Sequence, residues 1–446
     1  MNRTITATSL ALAAQNVPRY TSYPTAPHFT GAVNAATYAE WLAVLPPTAT
    51  LSVYIHVPFC VELCHYCGCT TKATHRREPV DAYAAVLRDE VALLRGLAGR
   101  RLTHLHWGGG TPSILGAGGL ASVVESLAGV FDFSAIREHA IELDPRRVDR
   151  ELVRALAALG VTRASLGVQT FAPHVQQAIG RVQPFDLVER VTGELRDAGI
   201  DAVNFDLMYG LPKQTAADVE RSAILADSLR PDRIALFGYA HVPWFRTHQR
   251  VIDTASLPGV GERLAQAGIA TAALIGAGYA AVGLDHFALP GDKLALAAER
   301  GTLRRNFQGY TTDTADALIG LGASAIGQLP QGYVQNAPDT GGYSRAVASG
   351  TFATVRGLVL SDDDRTRGAI VERLMCDLGV DLGIYGGAAR FAGEIESLGP
   401  LAEAGFVTVA GNRIAVTGRG RPFVRIAAAA FDAYLPQGEK RHSVAV

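Results

Sequence analysis

The chain has 446 residues, is 48% hydrophobic and 19% charged, and sets 41 Lys and Arg against 42 Asp and Glu for a formal charge of −1. That balance excludes a disordered chain and supplies no overall field for gathering nucleic acid or anionic lipid, so an anionic ligand must be met by local Arg or Lys. Of five cysteines, four lie between positions 60 and 69, which excludes a disulfide framework and points to metal or redox chemistry in a reducing compartment, here expected to be the cytoplasm.

In chain order, an N-terminal arm comes first, with a short apolar run at 9–14 and the specific-looking segment Arg19-Tyr-Thr-Ser-Tyr-Pro-Thr25 behind it. The run is too short to be expected as a cleaved signal. From residue 51, β-rich runs at 51–56, 102–107, 139–143, 163–168, 202–208 and 233–238 alternate with helical stretches at 79–98, 118–130, 148–159, 184–198 and 216–229. The first of these helices is expected to open at Asp81 and the last at Thr215. This alternation builds a parallel sheet through right-handed crossovers, and the turns after its strands, rich in Gly, Pro, Cys, Gln and Asp, place chemistry along one rim. The uncharged stretch 264–284 is long enough to span a bilayer, but its Ala and Gly content and its Asp285-His286 ending read as buried core, so no membrane span is expected. Segment 269–284 could add a helix and a strand. The last part of the chain reads as helices with a short hairpin at 405–417, turned at Gly411-Asn412.

The sharpest motif is Cys60-Val-Glu-Leu-Cys64-His-Tyr-Cys67-Gly-Cys69, just after the first strand. Three thiolates spaced Cys-x3-Cys-x2-Cys can bind three irons of a four-iron cluster and leave the fourth open, as a substrate-activating cluster needs. A structural zinc site usually draws on Cys-x2-Cys pairs from two knuckles, and no second knuckle is present. Gly108-Gly-Gly110-Thr111, after the second strand, lets backbone approach a ligand and offers amides to a carboxylate. Glu142, Gln169 and Asp206 each close a different strand and together suggest a shared site. His56, Asp285-His286 and Gln308 read equally as proton carriers or as hydrogen-bonded core, and Tyr20 and Tyr23 could pack the arm or cover a substrate.

On these residues the chain resembles the radical S-adenosylmethionine (SAM) superfamily and, more narrowly, its oxygen-independent coproporphyrinogen III oxidase family. Further matches are Tyr54-Ile-His-Val-Pro-Phe-Cys60, His106-Trp-Gly-Gly-Gly-Thr-Pro112, Asp206-Leu-Met-Tyr-Gly-Leu-Pro212, Asp285-His-Phe-Ala288, Arg305-Asn-Phe-Gln-Gly-Tyr310 and Leu374-Met-Cys376. The resemblance implies an α/β fold: a partial (β/α)6 barrel of parallel strands with its extension over 46–354, an arm at 1–45, and a smaller, mostly helical C-terminal domain at 355–446. It implies a [4Fe-4S] cluster on Cys60, Cys64 and Cys67, with Cys69 catalytic but not a ligand, Gln308 as a further catalytic candidate, and two SAM molecules. Tyr54, Gly109, Glu142 and Ile326 would hold the cluster-bound molecule. Tyr66, Gly110, Thr111, Gln169, Arg181, Asp206 and Ala240 would hold the second, with Arg181 available for a methionine carboxylate.

The implied reaction is oxidative decarboxylation of two propionates of coproporphyrinogen III to vinyl groups by a monomeric enzyme. Its electron would come from a flavodoxin- or ferredoxin-type protein, and Arg19 and Arg305 are candidate partners for substrate carboxylates. Haem chaperones of the superfamily carry Cys-x-Phe where this chain has Cys67-Gly-Cys69, which with the Arg19–Thr25 arm counts against that alternative; a radical haem methyltransferase is a second alternative, told apart by a methylated product. Departures from the family pattern are Thr170 after Gln169, Gly180 where Asn is usual, Leu284 where Met is common, and the Ala-rich tail Arg425-Ile-Ala-Ala-Ala-Ala-Phe-Asp432.

Overall fold

The computed structural model describes residues 6–435, so the outermost ends of the expected arm and C-terminal domain lie outside the described residues. Six parallel strands follow the expected alternation: β1 (Leu51–Val57), β2 (Leu102–Gly109), β3 (Glu138–Leu143), β4 (Arg163–Gln169), β5 (Ala202–Tyr209) and β6 (Arg233–Gly238). Beyond β6, β7 (Ala280–Val282) and β8 (His286–Ala288) add antiparallel to the edge. On the far side of β1 lie β9 (Ala317–Leu321), β10 (Ile326–Leu329), β11 (Gly332–Asn336) and β12 (Thr354–Val359). The order across this twelve-stranded sheet is β12-β11-β10-β9-β1-β2-β3-β4-β5-β6-β8-β7. β9 pairs parallel to β1, Tyr54 opposite Gly320, and makes a seventh parallel strand that the sequence pattern did not show. β12 carries this sheet past position 355.

Alternation along each strand sets two faces apart. On β1, Leu51, Val53, Ile55 and Val57 pack outward at 1% exposure or less. Ser52, Tyr54 and His56 belong to the other face, and the corresponding residues of the neighbouring strands line a cavity of about 230 Å3 inside the partial barrel. The start of that interior is closed by buried ions that pair with one another: Arg163 bonds Glu138 at 3.0 Å and Asp292 at 3.2 Å, and Arg233 bonds Asp292 at 2.7 Å, leaving Arg233 Nη2 without a hydrogen-bond partner.

The crossover helices match the expected positions, at Glu78–Leu93, Gly116–Ala128, Arg150–Ala158, Phe185–Asp197 and Ala216–Ser228. Thr215 caps the last of these in a reciprocal box with Asp218. Asp81, in contrast, does not cap the first: Arg77 stands at the cap, and Asp81 lies in the first turn, where it pairs with Arg77. Segment 264–284 resolves into the helix Val260–Gly276, a turn and β7, and no helix among the described residues is long and apolar enough to cross a membrane.

The arm joins the sheet through a Thr30–Gly357 bridge. Tyr20 Oη donates to Asp432 at 3.0 Å and the Ala433 N–H donates to Tyr23 Oη at 3.0 Å, so both arm tyrosines pack the arm onto the end of the chain. The C-terminal part pairs the helix Asp362–Asp377 with the strands Gly379–Asp381, Val407–Ala410 and Arg413–Val416, the last two joined by the expected turn at Gly411-Asn412.

Candidate active site

The cysteine loop leaves β1 and is held on three sides. Phe59–Cys60 pairs with Lys72–Ala73, and the His65 N–H donates to Ile179 O at 3.0 Å. The segment after β6 clamps the outside: Arg246 Nε donates to Gly68 O at 2.9 Å, His248 Nε2 to Cys67 O at 2.7 Å and Gln249 Nε2 to Tyr66 O at 2.9 Å. These three residues were not singled out in the sequence, where nothing in their spacing marks them. Gln249 also reaches Ala240 O at 3.3 Å, which ties Ala240 to the same clamp.

The thiols sit in differing surroundings. Cys60 accepts from Thr111 Oγ1 at 3.4 Å and lies 3.3 Å from Thr71 Oγ1; burial pushes its thiol up against the pull of these hydroxyls. Cys64 is buried, with Arg181 Nη1 at 3.5 Å and Arg146 Nη2 at 3.6 Å from its sulfur. Both guanidiniums are anchored on Asp144, at 3.3 and 2.7 Å. Cys69 bonds the Cys67 sulfur through its thiol and, at 3.4 Å, through its backbone N–H. That brings the Cys67 thiol down to about 7 and drives the Cys69 thiol well up. The bonds from Cys69 favour the Cys67 thiolate, the form a metal cluster takes. Among the described residues no three His, Cys, Asp or Glu side chains close on one point as a single ion requires. Three thiols on one loop fit a four-iron cluster, in which each thiolate would take its own iron.

The glycine loop lies directly against this loop. The Gly110 N–H donates to Val57 O and the Thr111 N–H to Phe59 O, both at 2.8 Å. Gly109 has φ +114°, and a methyl group there would meet Val57 N at 2.9 Å, so only glycine fits. Beside it, Tyr54 Oη donates to His56 Nδ1 at 3.0 Å while His56 Nε2 donates to Thr70 O at 2.8 Å. With both ring nitrogens so used, and burial lowering its pKa, His56 is a neutral bridge between β1 and the cysteine loop. Ile326 lies against Tyr54's sheet partner: a methyl at Gly320 would meet Ile326 O at 2.8 Å.

Inside the cavity, Glu142 Oε1 lies 3.2 Å from His106 Nε2, and Asp206 accepts from Ser165 Oγ at 3.4 Å. Burial, reinforced by the charge of Glu142, pushes the Asp206 carboxyl up to about 7. Gln308, on the hairpin between Arg304–Asn306 and Gly309–Thr311, lines the same cavity, as does His286, whose Nδ1 bonds Asp285 at 2.8 Å. Gln169 ends β4 in the left-handed region (φ +66°), where the ladder slips between Gly167 and Gln169. Arg181 donates to Gly167 O at 2.7 Å. Tyr66 packs with Ala172, Val175 and Ile179.

The departure at Gly180 has a physical reason: it has φ +64°, and a methyl group there would meet His65 Nε2 at 2.9 Å. Arg146, missed in the sequence, follows Glu142-Leu-Asp144-Pro145 and could have been found as the cation nearest that strand end. Cys376 stands apart, buried at 4% exposure beside Tyr310 and Val282, with its thiol pushed up to about 12 by burial.

A thiol loop, a glycine loop and strand-end carboxylates on one rim of a parallel barrel match the Radical SAM superfamily, whose family model aligns with residues 54–226. Oxygen-independent coproporphyrinogen III oxidases are similar over almost the whole chain. That of Bradyrhizobium diazoefficiens is 48% identical across 97% of this chain and 98% of its own, and that of Escherichia coli K12 is 37% identical across 94% and 93%. The solved structure of the E. coli coproporphyrinogen III oxidase, a radical SAM enzyme, superposes with a TM-score of 0.89 at 36% identity, covering 94% of this chain and 100% of that one. The chain belongs to the oxygen-independent coproporphyrinogen III oxidase family of radical SAM enzymes.

Proposed function

We propose that the protein removes two propionate carboxyls of coproporphyrinogen III oxidatively, giving protoporphyrinogen IX in tetrapyrrole biosynthesis. The observation that carries this reading is the similarity to relatives of that name along nearly the full chain, with Glu142, Asp206 and Gln308 lining one cavity. In this reading Cys60, Cys64 and Cys67 hold a [4Fe-4S] cluster. That cluster would supply one electron to bound SAM, whose cleavage would give methionine and a 5′-deoxyadenosyl radical.

The chain's own residues position and shield. Tyr54, Gly109, Glu142 and Ile326 line the place of the first SAM, where Glu142 can accept from an amine and the glycine backbone can approach closely. Tyr66, Gly110, Thr111, Gln169, Arg181, Asp206 and Ala240 surround the place of a second. There Arg181 meets a carboxylate, and Asp206 accepts from hydroxyls or an amine. Cys69, joined to Cys67, and Gln308, in the cavity wall, face the reacting side chain. Each propionate would lose a β-hydrogen atom to that radical, which ends as 5′-deoxyadenosine, then carbon dioxide, and then one electron to an external electron acceptor, leaving a vinyl group.

An electron donor of flavodoxin or ferredoxin type, a monomeric state and a cytoplasmic location belong to the same proposal. So does the division into arm (1–45), barrel (46–354) and C-terminal domain (355–446), with the second boundary better drawn after Val359, where β12 ends. Anaerobic incubation with coproporphyrinogen III, SAM and a reductant, followed by mass analysis, tests the reaction. Two losses of one formic-acid equivalent are expected, and an unchanged or methylated tetrapyrrole would overturn it.

A further inference from the structure

A tetrapyrrole with four propionates must have its unreacted carboxylates held while another reacts. The arginines around the barrel cavity each pair with a carboxylate, Arg146 and Arg181 with Asp144, Arg163 with Glu138 and Asp292, and Arg233 with Asp292, although Arg233 Nη2 keeps no hydrogen-bond partner. A separate group of arginines gathers where the arm, the end of β6, the 304–311 hairpin and the C-terminal helix Val424–Ala429 meet. Arg19 Nη2 donates to Gly238 O at 3.0 Å. Arg263 lies over the Tyr209 ring, 5.6 Å from its centroid, and a methyl at Gly238 would lie 3.1 Å from its Nη2, so both guanidiniums stand at one strand end. Arg305, 4.3 Å from the Tyr310 centroid, donates to Tyr20 O at 3.1 Å and to Arg19 O at 3.2 Å. Arg425 donates to Pro18 O at 2.9 Å.

Asp285 is the carboxylate whose charge reaches Arg19, Arg305 and Arg425, and it is already bonded to His286 at 2.8 Å. Asp432 nearby is taken by the Tyr20 hydroxyl, and Glu372 by Arg304 and the Arg305 N–H. Burial, with the like charge of Arg19 adding to it, holds Arg263 and Arg425 below the usual guanidinium range. Arg305 Nη1 is buried with no hydrogen-bond partner, while Arg19 is exposed. A buried orphan donor beside a solvent-reachable cation is the chemistry of an anion receptor.

We propose that Arg19 and Arg305, in the field of Arg263 and Arg425, bind carboxylates of the substrate that are not reacting. This rests on the tetrapyrrole reading above and assigns that substrate's charged contacts. Arg305 lines, with Tyr20 and Thr21, a cavity of about 790 Å3 that shares Asn306 and Thr311 with the barrel cavity where Gln308 lies. The hairpin thus presents a cation on one side and the reacting region on the other.

The test is equilibrium titration of the cluster-loaded, full-length protein with coproporphyrin III, the oxidised macrocycle carrying the same four carboxylates, and with its tetramethyl ester in mild detergent. Arg19→Gln should weaken coproporphyrin III binding by roughly 10–100-fold. Arg19→Lys should recover part of the loss, Arg305→Gln should weaken binding similarly, and ester binding should not distinguish the variants from wild type. Arg19→Gln of wild-type iron content that binds coproporphyrin III as tightly as wild type would overturn the proposal, as would equal weakening for acid and ester. If Arg19→Gln loses the acid while the wild type forms no divinyl product, the reaction fails and the receptor stands.

Discussion

Replacing Gly110 by Ala perturbs the contact between the glycine and cysteine loops at a single atom. The added methyl would lie 2.5 Å from Phe59 O and 2.9 Å from Phe59 C, and would also press on Thr71 Oγ1. The threonine can turn away, but only by giving up its 3.3 Å contact with the Cys60 sulfur. The Phe59 carbonyl cannot turn: it accepts the Thr111 N–H at 2.8 Å, and its residue precedes Cys60. Relief of such overpacking costs about 1–3 kcal/mol and moves the backbone that carries a thiol. Gly118 is the matched control, in the helix Gly116–Ala128 with nothing within 4 Å of a methyl, where Ala should add up to about 1 kcal/mol. Thermal unfolding and iron content per chain, measured on both variants after anaerobic cluster assembly, separate the two cases. Gly110→Ala should melt lower and bind less iron, while Gly118→Ala should melt at or above wild type with full iron. A Gly110→Ala protein with wild-type melting and iron would refute the packing argument.

Cys64→Ala should lose the cluster's iron and visible absorption, whereas Cys376→Ser, remote and buried, should keep both; iron and sulfide analysis decides. Glu90 accepts from Tyr343 Oη and Asn336 Nδ2 at 2.7 Å and from the Gly322 N–H at 2.8 Å, and burial pushes its carboxyl up to about 7. Because the folded state keeps a proton that the unfolded chain releases near pH 4.5, its contribution to stability is present at low pH. It falls as pH rises from about 4.5 to about 7, then stays flat. Denaturant unfolding at pH 5 and pH 8 should therefore favour wild type over Glu90→Gln more at pH 5, and an equal difference at the two pH values counts against it. Arg181→Gln removes a guanidinium that pairs with Asp144 and donates to Gly167 O, and Arg146 remains on Asp144. A loss of about 2–3 kcal/mol is expected, read from the denaturant midpoint.

By itself the sequence determined the six alternating β/α units, the cysteine loop after β1 and the glycine loop after β2, because period-2 runs, turn residues and thiol spacing are local signals. It also placed Glu142 and Gln169 near strand ends, whereas Asp206, expected to close its strand, lies inside β5. Tertiary structure decided what those signals could not carry. The five-residue strand Ala317–Leu321 is uniformly buried and too short for a periodic signature, so only its pairing with β1 reveals it. In the sequence His56 reads equally as a proton carrier or a core residue, and Tyr20 and Tyr23 as arm packing or a substrate cover; Tyr54 and Thr70 at the two imidazole nitrogens, and Asp432 and Ala433 at the two hydroxyls, decide for the packed readings. Arg146, Arg246, His248 and Gln249 reach the cysteine loop from 76 or more positions away in sequence, as distances along the chain have no bearing on which side chains a closed sheet brings together. The same holds for the arginines around Asp285, ordinary one by one in sequence and a concentrated charge only where the arm, β6 and the C-terminal helix converge.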